Sequence, residues 1–116
     1  MKTILIVEDD IDIIDTIRFV LMNTGYVVLS TMNSTPMSFI EELKPNLILL
    51  DYHLHNLSGK NLCIAIKTNY KTSDIPVIFI SGDANIPYIA AKCGADAFIE
   101  KPFDIDKLIF TIERFF

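Results

Sequence analysis

Four consecutive apolar residues, Leu47, Ile48, Leu49 and Leu50, run straight into an acid, Asp51. A strand with one face in water alternates apolar and polar residues. A strand with no alternation is buried on both faces, which is the mark of a parallel sheet covered by helices on each side. Pro45 precedes the run, so we expect a strand from Asn46 to Asp51. A carboxylate ending such a strand is held rigidly and is partly out of water, and a charge in that position needs a partner.

The rest of the chain repeats the plan. Ile4 to Val7 is a short apolar run that meets Glu8, Asp9 and Asp10. From Ile11 to Asn23 the residues Ile13, Ile14, Ile17, Val20 and Leu21 fall at helical spacing, with Asp10 as a cap and Gly25 as a stop. Tyr26 to Ser30 reads as a strand. Thr35 followed by Pro36 reads as an N-cap and a first-turn proline, opening a helix to about Lys44. A helix from Gly59 to about Asn69 follows the Asn46–Asp51 strand, and Pro76 leads into a strand from Val77 to Ser81. Ile86, Ile89, Ala90 and Cys93 form one inward stripe of a short helix that Gly94 ends. Ala97 to Ile99 is a brief strand, and Asp104 caps a last helix to the C-terminus. Five strands alternating with five helices predict a doubly wound α/β domain, one domain over residues 1–116.

Composition narrows the function classes. The 116 residues are 51% hydrophobic and 22% charged, which suits a folded chain with a core. Net charge is −5 with no basic run, which argues against direct nucleic-acid binding by this chain. The longest apolar stretches are too short to span a bilayer. The N-terminus meets Glu8 and Asp9 too soon for a signal peptide, so we expect a cytoplasmic protein. Cys63 and Cys93 have no Cys-x-x-Cys spacing and read as two reduced core thiols.

In doubly wound sheets ligands bind outside the carboxyl ends of the strands. Those ends carry Glu8, Asp9 and Asp10 after the first strand, Asp51 after the third, Ser81 at the end of the fourth and Lys101 after the fifth. If the first and third strands are neighbours, several carboxylates share one crevice, and like charges that close need compensation. A hard divalent cation with oxygen ligands and water supplies it, and Mg²⁺ suits such a set. Capping explains Asp10 alone better than metal binding does. It does not explain Glu8, Asp9 and Asp51 together. With a cation beside it, the Asp51 carboxylate can attack phosphorus, while the Lys101 ammonium and the Ser81 hydroxyl hold phosphoryl oxygens.

These residues resemble the receiver domain of two-component response regulators over essentially the whole chain. The matching segments are Ile4–Asp10, Pro45–Asp51, Leu54 with Gly59, Ile75–Ser81 and Gly94–Phe103. The resemblance implies a flavodoxin-like sheet in the order 2-1-3-4-5. It implies Asp51 as phosphoacceptor, with Glu8, Asp9, the Asp51 carboxylate and the backbone carbonyl of His53 as Mg²⁺ ligands. Ser81 would bond the phosphoryl group, Lys101 would pair with it, and Phe98 would be a switch between outward and inward rotamers. His53 and Asp83 would tune the phosphoryl lifetime, and the Lys101–Pro102 bond would be cis. The implied partners are a histidine kinase or phosphotransfer protein and a downstream output protein or domain. Autophosphatase chemistry would be weak, without a committed enzyme.

The chain departs from the family pattern in places. His55 stands where proline is common, the Ser81–Gly94 interval is short, and Pro87 restricts the helix there to a short one. Ala97, Lys107 and Thr111 replace the Asp, Glu and Arg with which the winged-helix branch ties its dimer. That argues against the standard dimer, although a phosphorylation-dependent homodimer stays open. Phe110 falls off the inward stripe of Leu108, Ile112 and Phe115, and is either a partner contact or a solitary exposed aromatic. Two alternatives stand beside the phospho-acceptor reading. One is a degenerate receiver that binds partners without phosphate. The other is an Asp-nucleophile phosphatase of the haloacid-dehalogenase kind, disfavoured by His53 where a second acid is usual.

Overall fold

The computed structural model of the chain describes residues 2–31, 35–53 and 59–116. The predicted positions Leu54 and His55 lie outside the described residues. In chain order the elements are β1 (Thr3–Val7), α1 (Ile11–Leu21), β2 (Val27–Thr31), α2 (Met37–Leu43), β3 (Leu47–Asp51), α3 (Gly59–Thr68), β4 (Val77–Ser81), α4 (Ile86–Cys93), β5 (Ala97–Glu100) and α5 (Ile105–Glu113). The strands are parallel and run β2-β1-β3-β4-β5, so the doubly wound architecture is the one observed.

The unbroken apolar run of β3 has a direct cause. Successive side chains point to opposite faces. Ile48 and Leu50 pack with Leu5, Val7, Val77 and Phe79 under α2, α3 and α4. Leu47 and Leu49 pack with Ile4, Ile6, Ile78 and Ile80 under α1 and α5. All four β3 apolar residues are fully buried, each stabilising the fold by about 1.5–3 kcal/mol relative to exposure.

Local chemistry sets most element ends. The Asp10 carboxylate accepts from the backbone N–H of Asp12 (2.9 Å) and Ile13 (3.4 Å), capping α1 as expected. Asp104 caps α5 through the Asp106 N–H at 2.8 Å. Gly94 ends α4 at φ +79°, a left-handed conformation that costs glycine nothing in sterics. A clasp fixes the entry to β4: Lys67 Nζ donates to the Ile75 carbonyl (3.1 Å) and to Asp96 Oδ2 (3.0 Å), which also accepts from the Val77 N–H (2.8 Å).

Some boundaries differ from expectation. Helix α1 stops at Leu21 rather than Asn23, and α5 stops at Glu113. Thr35 does not cap α2. Pro36 occupies the N-cap position with extended ψ of 144° and no side-chain cap bond, while the Thr35 hydroxyl lies 2.7 Å from that of Thr31. Pairing with β1 shifts β2 one residue onward, because the Val27 N–H bonds the Lys2 carbonyl at 2.8 Å. In α4, Ile86, Ala90 and Cys93 are buried, but Ile89 is only half-buried. Both cysteines are free and buried, and burial pushes the Cys63 thiol up to about 12. No helix among the described residues is long and apolar enough to cross a membrane.

Candidate functional site

Strand register assembles the site. Val7 is level with Leu50, so Glu8 emerges beside Asp51. Ser81 is level with Glu100, and the Lys101 N–H bonds the Ser81 carbonyl at 2.8 Å, so the lysine emerges beside the end of β4. An open cleft of about 320 Å³ results, lined by Glu8, Asp9, Asp10, Asp51, His53, Gly82 and Lys101. Residues far apart in sequence and picked out by chemistry alone therefore share one cavity at the carboxyl edge of the sheet.

Asp51 is almost fully buried at the end of β3, and its Oδ1 accepts from the His53 N–H at 3.1 Å. Its other oxygen, Oδ2, lies 3.5 Å from Lys101 Nζ, which is also 3.5 Å from Glu8 Oε1. The ammonium thus bridges two buried carboxylates. Glu8 is the more stressed of them. Neither of its oxygens receives a well-formed hydrogen bond among the described residues. Burial first, and then the adjacent Asp51 carboxyl, push its pKa up to about 8, against the pull of Lys101.

The other expected residues lie around this centre. Ser81 is buried and does not line the cleft; its Oγ accepts from the Asp83 N–H at 3.0 Å, holding the loop that leads into α4. The exposed His53 ring, which lines the cleft, stands with Nε2 3.9 Å from Asp83 Oδ2, while Asp83 itself is not among the described lining residues. Phe98 is 37% exposed on the outer face of β5, away from the cleft, beside Phe110 and Lys107. The Lys101–Pro102 peptide is cis.

The donor set fits a hard cation. Glu8, Asp9 and Asp51 offer carboxylate oxygens, and the buried, poorly satisfied Glu8 oxygens are the kind of acceptors that a metal or its waters would satisfy. Among the described residues no three His, Cys, Asp or Glu side chains converge into a ready-made metal cluster.

Asp10, expected at the first strand's end and favoured as a cap, does both: it caps α1 and lines the cleft. Sequence reasoning missed two features of the site. Tyr52 braces His53, ring to ring at 4.8 Å, and rests its other side on Phe79 at 5.5 Å. Gly59 sits where a Cβ would come within 2.3 Å of the Asp51 carbonyl, so the start of α3 presses directly on the end of β3.

A doubly wound sheet with a carboxylate cleft at its carboxyl edge, a strand-end aspartate and a lysine beside it defines a class of α/β module rather than one protein. The response regulator receiver domain model matches residues 4–113, and the chain belongs to that family, the receivers of two-component systems. It is 37% identical over 111 residues to the phosphate regulon transcriptional regulatory protein PhoB of Pseudomonas aeruginosa, covering 93% of this chain and 48% of that protein. It is 38% identical over 116 residues to the nitrogen assimilation regulatory protein NtrX of Azorhizobium caulinodans, covering 96% of this chain and 25% of that protein. The crystal structure of the receiver domain of NtrX from Brucella abortus superposes with a TM-score of 0.85 at 35% identity, covering 97% and 96% of the two chains. The chain thus spans half or less of the length of these two curated relatives.

Proposed function

We infer that residues 1–116 form one receiver domain that accepts a phosphoryl group on Asp51 from a histidine kinase or phosphotransfer protein. The observation that carries this reading is the buried Asp51 carboxylate, with one oxygen pinned by the His53 N–H and the other 3.5 Å from the Lys101 ammonium, at the floor of an open cleft. An Asp51 oxygen attacks phosphorus as the donor's P–N bond breaks, and the freed imidazole nitrogen takes a proton from solvent. Lys101 then pairs with a phosphoryl oxygen, leaving its shared position between Glu8 and Asp51. Glu8, Asp9, Asp51 and the His53 carbonyl would hold Mg²⁺, which offsets the charge that builds on the transferring oxygens.

The signal leaves through Ser81. Its oxygen already accepts from the Asp83 N–H, so its own proton is free to bond a phosphoryl oxygen without breaking that contact. Such a bond draws the 81–85 loop, and α4 with it, toward the cleft. Phe98 on β5, now outward, is placed to turn inward as that loop moves, changing a face that an output protein or domain reads. His53 at the mouth, with Asp83 against it, controls in-line water, so the phosphoryl group is lost slowly at its own site rather than by enzymatic turnover. Such a domain works in the cytoplasm, where its kinase partners phosphorylate it.

The test is labelling by acetyl phosphate with Mg²⁺. Wild-type protein is expected to gain one phosphoryl group per chain, and Asp51→Asn none, with an unchanged circular dichroism spectrum. Full labelling of Asp51→Asn overturns the assignment. Labelling that survives complete chelation of divalent cations overturns the role given to the metal.

A further inference from the structure

Behind Tyr52 lies a second cavity, between α3 and α4, of about 250 Å³ and lined by Tyr52, Lys60, Tyr88, Ile89, Lys92 and Cys93. Its floor is apolar. Cys93 is buried, Ile89 and Tyr52 are half-buried, and Tyr88 is 62% exposed at the rim. The charged residues lining it are two lysines, with no carboxylate among the described lining residues, on a chain whose net charge is −5. Lys92 Nζ lies 5.3 Å from the centre of the Tyr88 ring, so the rim presents a cation and an aromatic face together. The volume falls below the ~300–1,000 Å³ typical of cofactor and drug-sized ligands and suits one large side chain.

We propose that this α3–α4 groove docks a short acidic segment of a partner protein, which inserts one bulky apolar side chain between Tyr52 and Ile89 and sets its carboxylates against Lys60 and Lys92. The proposal rests on the receiver reading for its consequence, though not for the binding itself. Tyr52 forms the groove wall on one side and packs edge-to-face on His53 on the other, and His53 is two residues from Asp51. A side chain wedged against Tyr52 therefore presses on the residue at the mouth of the cleft. A partner held here would sense or set the state of the cleft without touching the outer face around Phe98 and Phe110.

The experiment uses the 116-residue chain and a synthetic library of acidic ten-residue peptides, each carrying one Leu, Phe or Trp, with control sets in which Lys replaces the acids or Ser replaces the anchor. Binding is read by amide chemical-shift perturbation. Acidic, anchored peptides are expected to shift Tyr52, Lys60, Tyr88, Lys92 and His53, with affinity falling as salt rises. In the double variant Lys60→Glu, Lys92→Glu that affinity should fall about tenfold or more. Failure of every acidic peptide to bind, binding centred elsewhere, or indifference to the double charge reversal overturns the docking proposal. Shifts confined to the groove, with His53 unmoved, overturn the link to the cleft. Acetyl phosphate labelling of the double variant keeps the two readings apart. Labelling at the wild-type rate with binding lost affects only the peptide, whereas unlabelled wild-type protein that still binds peptide refutes the receiver chemistry and leaves the groove.

Discussion

Gly59 is the position where a single methyl group tests how β3 and α3 together hold the phosphoacceptor. A Cβ on Gly59 would stand 2.3 Å from the Asp51 carbonyl oxygen, 2.8 Å from Tyr52 Cα and 2.9 Å from the Tyr52 oxygen, where ordinary contact begins near 3.4 Å. Every obstacle is backbone, so no rotamer change relieves the clash, and α3 must move from the end of β3 by on the order of 1 Å. Overpacking of this kind costs about 1–3 kcal/mol, and the rigid neighbours place Gly59→Ala at the upper end. Alanine's better helix propensity returns up to about 1 kcal/mol. The net expectation is a loss of about 2 kcal/mol, or a Tm lower by roughly 8 °C. Urea unfolding measures the first, with an unchanged m-value showing that the unfolded state is not the cause. The atom the new methyl group meets first is the carbonyl oxygen of Asp51 itself, so acetyl phosphate labelling should slow in the same variant. A stability change under about 0.5 kcal/mol with labelling at the wild-type rate would refute the close-approach argument.

Three further outcomes are expected. The folded-state pKa of Glu8, about 8, lies above its ordinary value of 4.5, so the folded state binds that proton more tightly than the unfolded one. In chelator, the contribution of Glu8 to stability should be fullest below pH 4.5 and be lost as pH rises toward 8, and Glu8→Gln should lack that loss relative to wild type. Wild-type and Glu8→Gln profiles that run parallel in thermal melts across that window speak against the buried carboxyl. Asp10→Ala should destabilise by about 1 kcal/mol through loss of the α1 cap while acetyl phosphate still labels Asp51; a fully stable variant in urea would show the cap idle. Replacing His53 and Asp83 together by alanine should change the phospho-Asp51 lifetime several-fold with Mg²⁺ affinity unaltered; an unchanged single-turnover dephosphorylation rate in folded protein defeats that role.

Much of the fold was legible because its causes are local. Leu47–Leu50 declared a strand buried on both faces. Asp10 and Asp104 read as caps and act as caps, because a short carboxylate meets amides two and three residues on. Gly94 read as a stop, and its left-handed φ explains why. Where a competing contact intervened, the reading slipped. Thr35 carries a capping side chain, but its hydroxyl pairs with Thr31, a residue the α2 sequence window does not contain. The acids of the site were legible by chemical crowding, and the family resemblance put names to their roles.

The sequence by itself determined the order of elements, the faces of the helices and the residue types gathered at the carboxyl ends of the strands, since periodicity and caps are properties of neighbouring residues. It left Phe110 undecided, and only the folded chain shows that ring 66% exposed on the outer face of α5. Nor did it reveal that one ammonium stands 3.5 Å from both Glu8 and Asp51, that Tyr52 packs on His53 while lining a second groove, or that α3 begins against the Asp51 carbonyl. Each of these depends on which strands are adjacent and in what register. That choice is settled by packing two apolar layers on opposite faces of one sheet, across separations in sequence that no local pattern encodes.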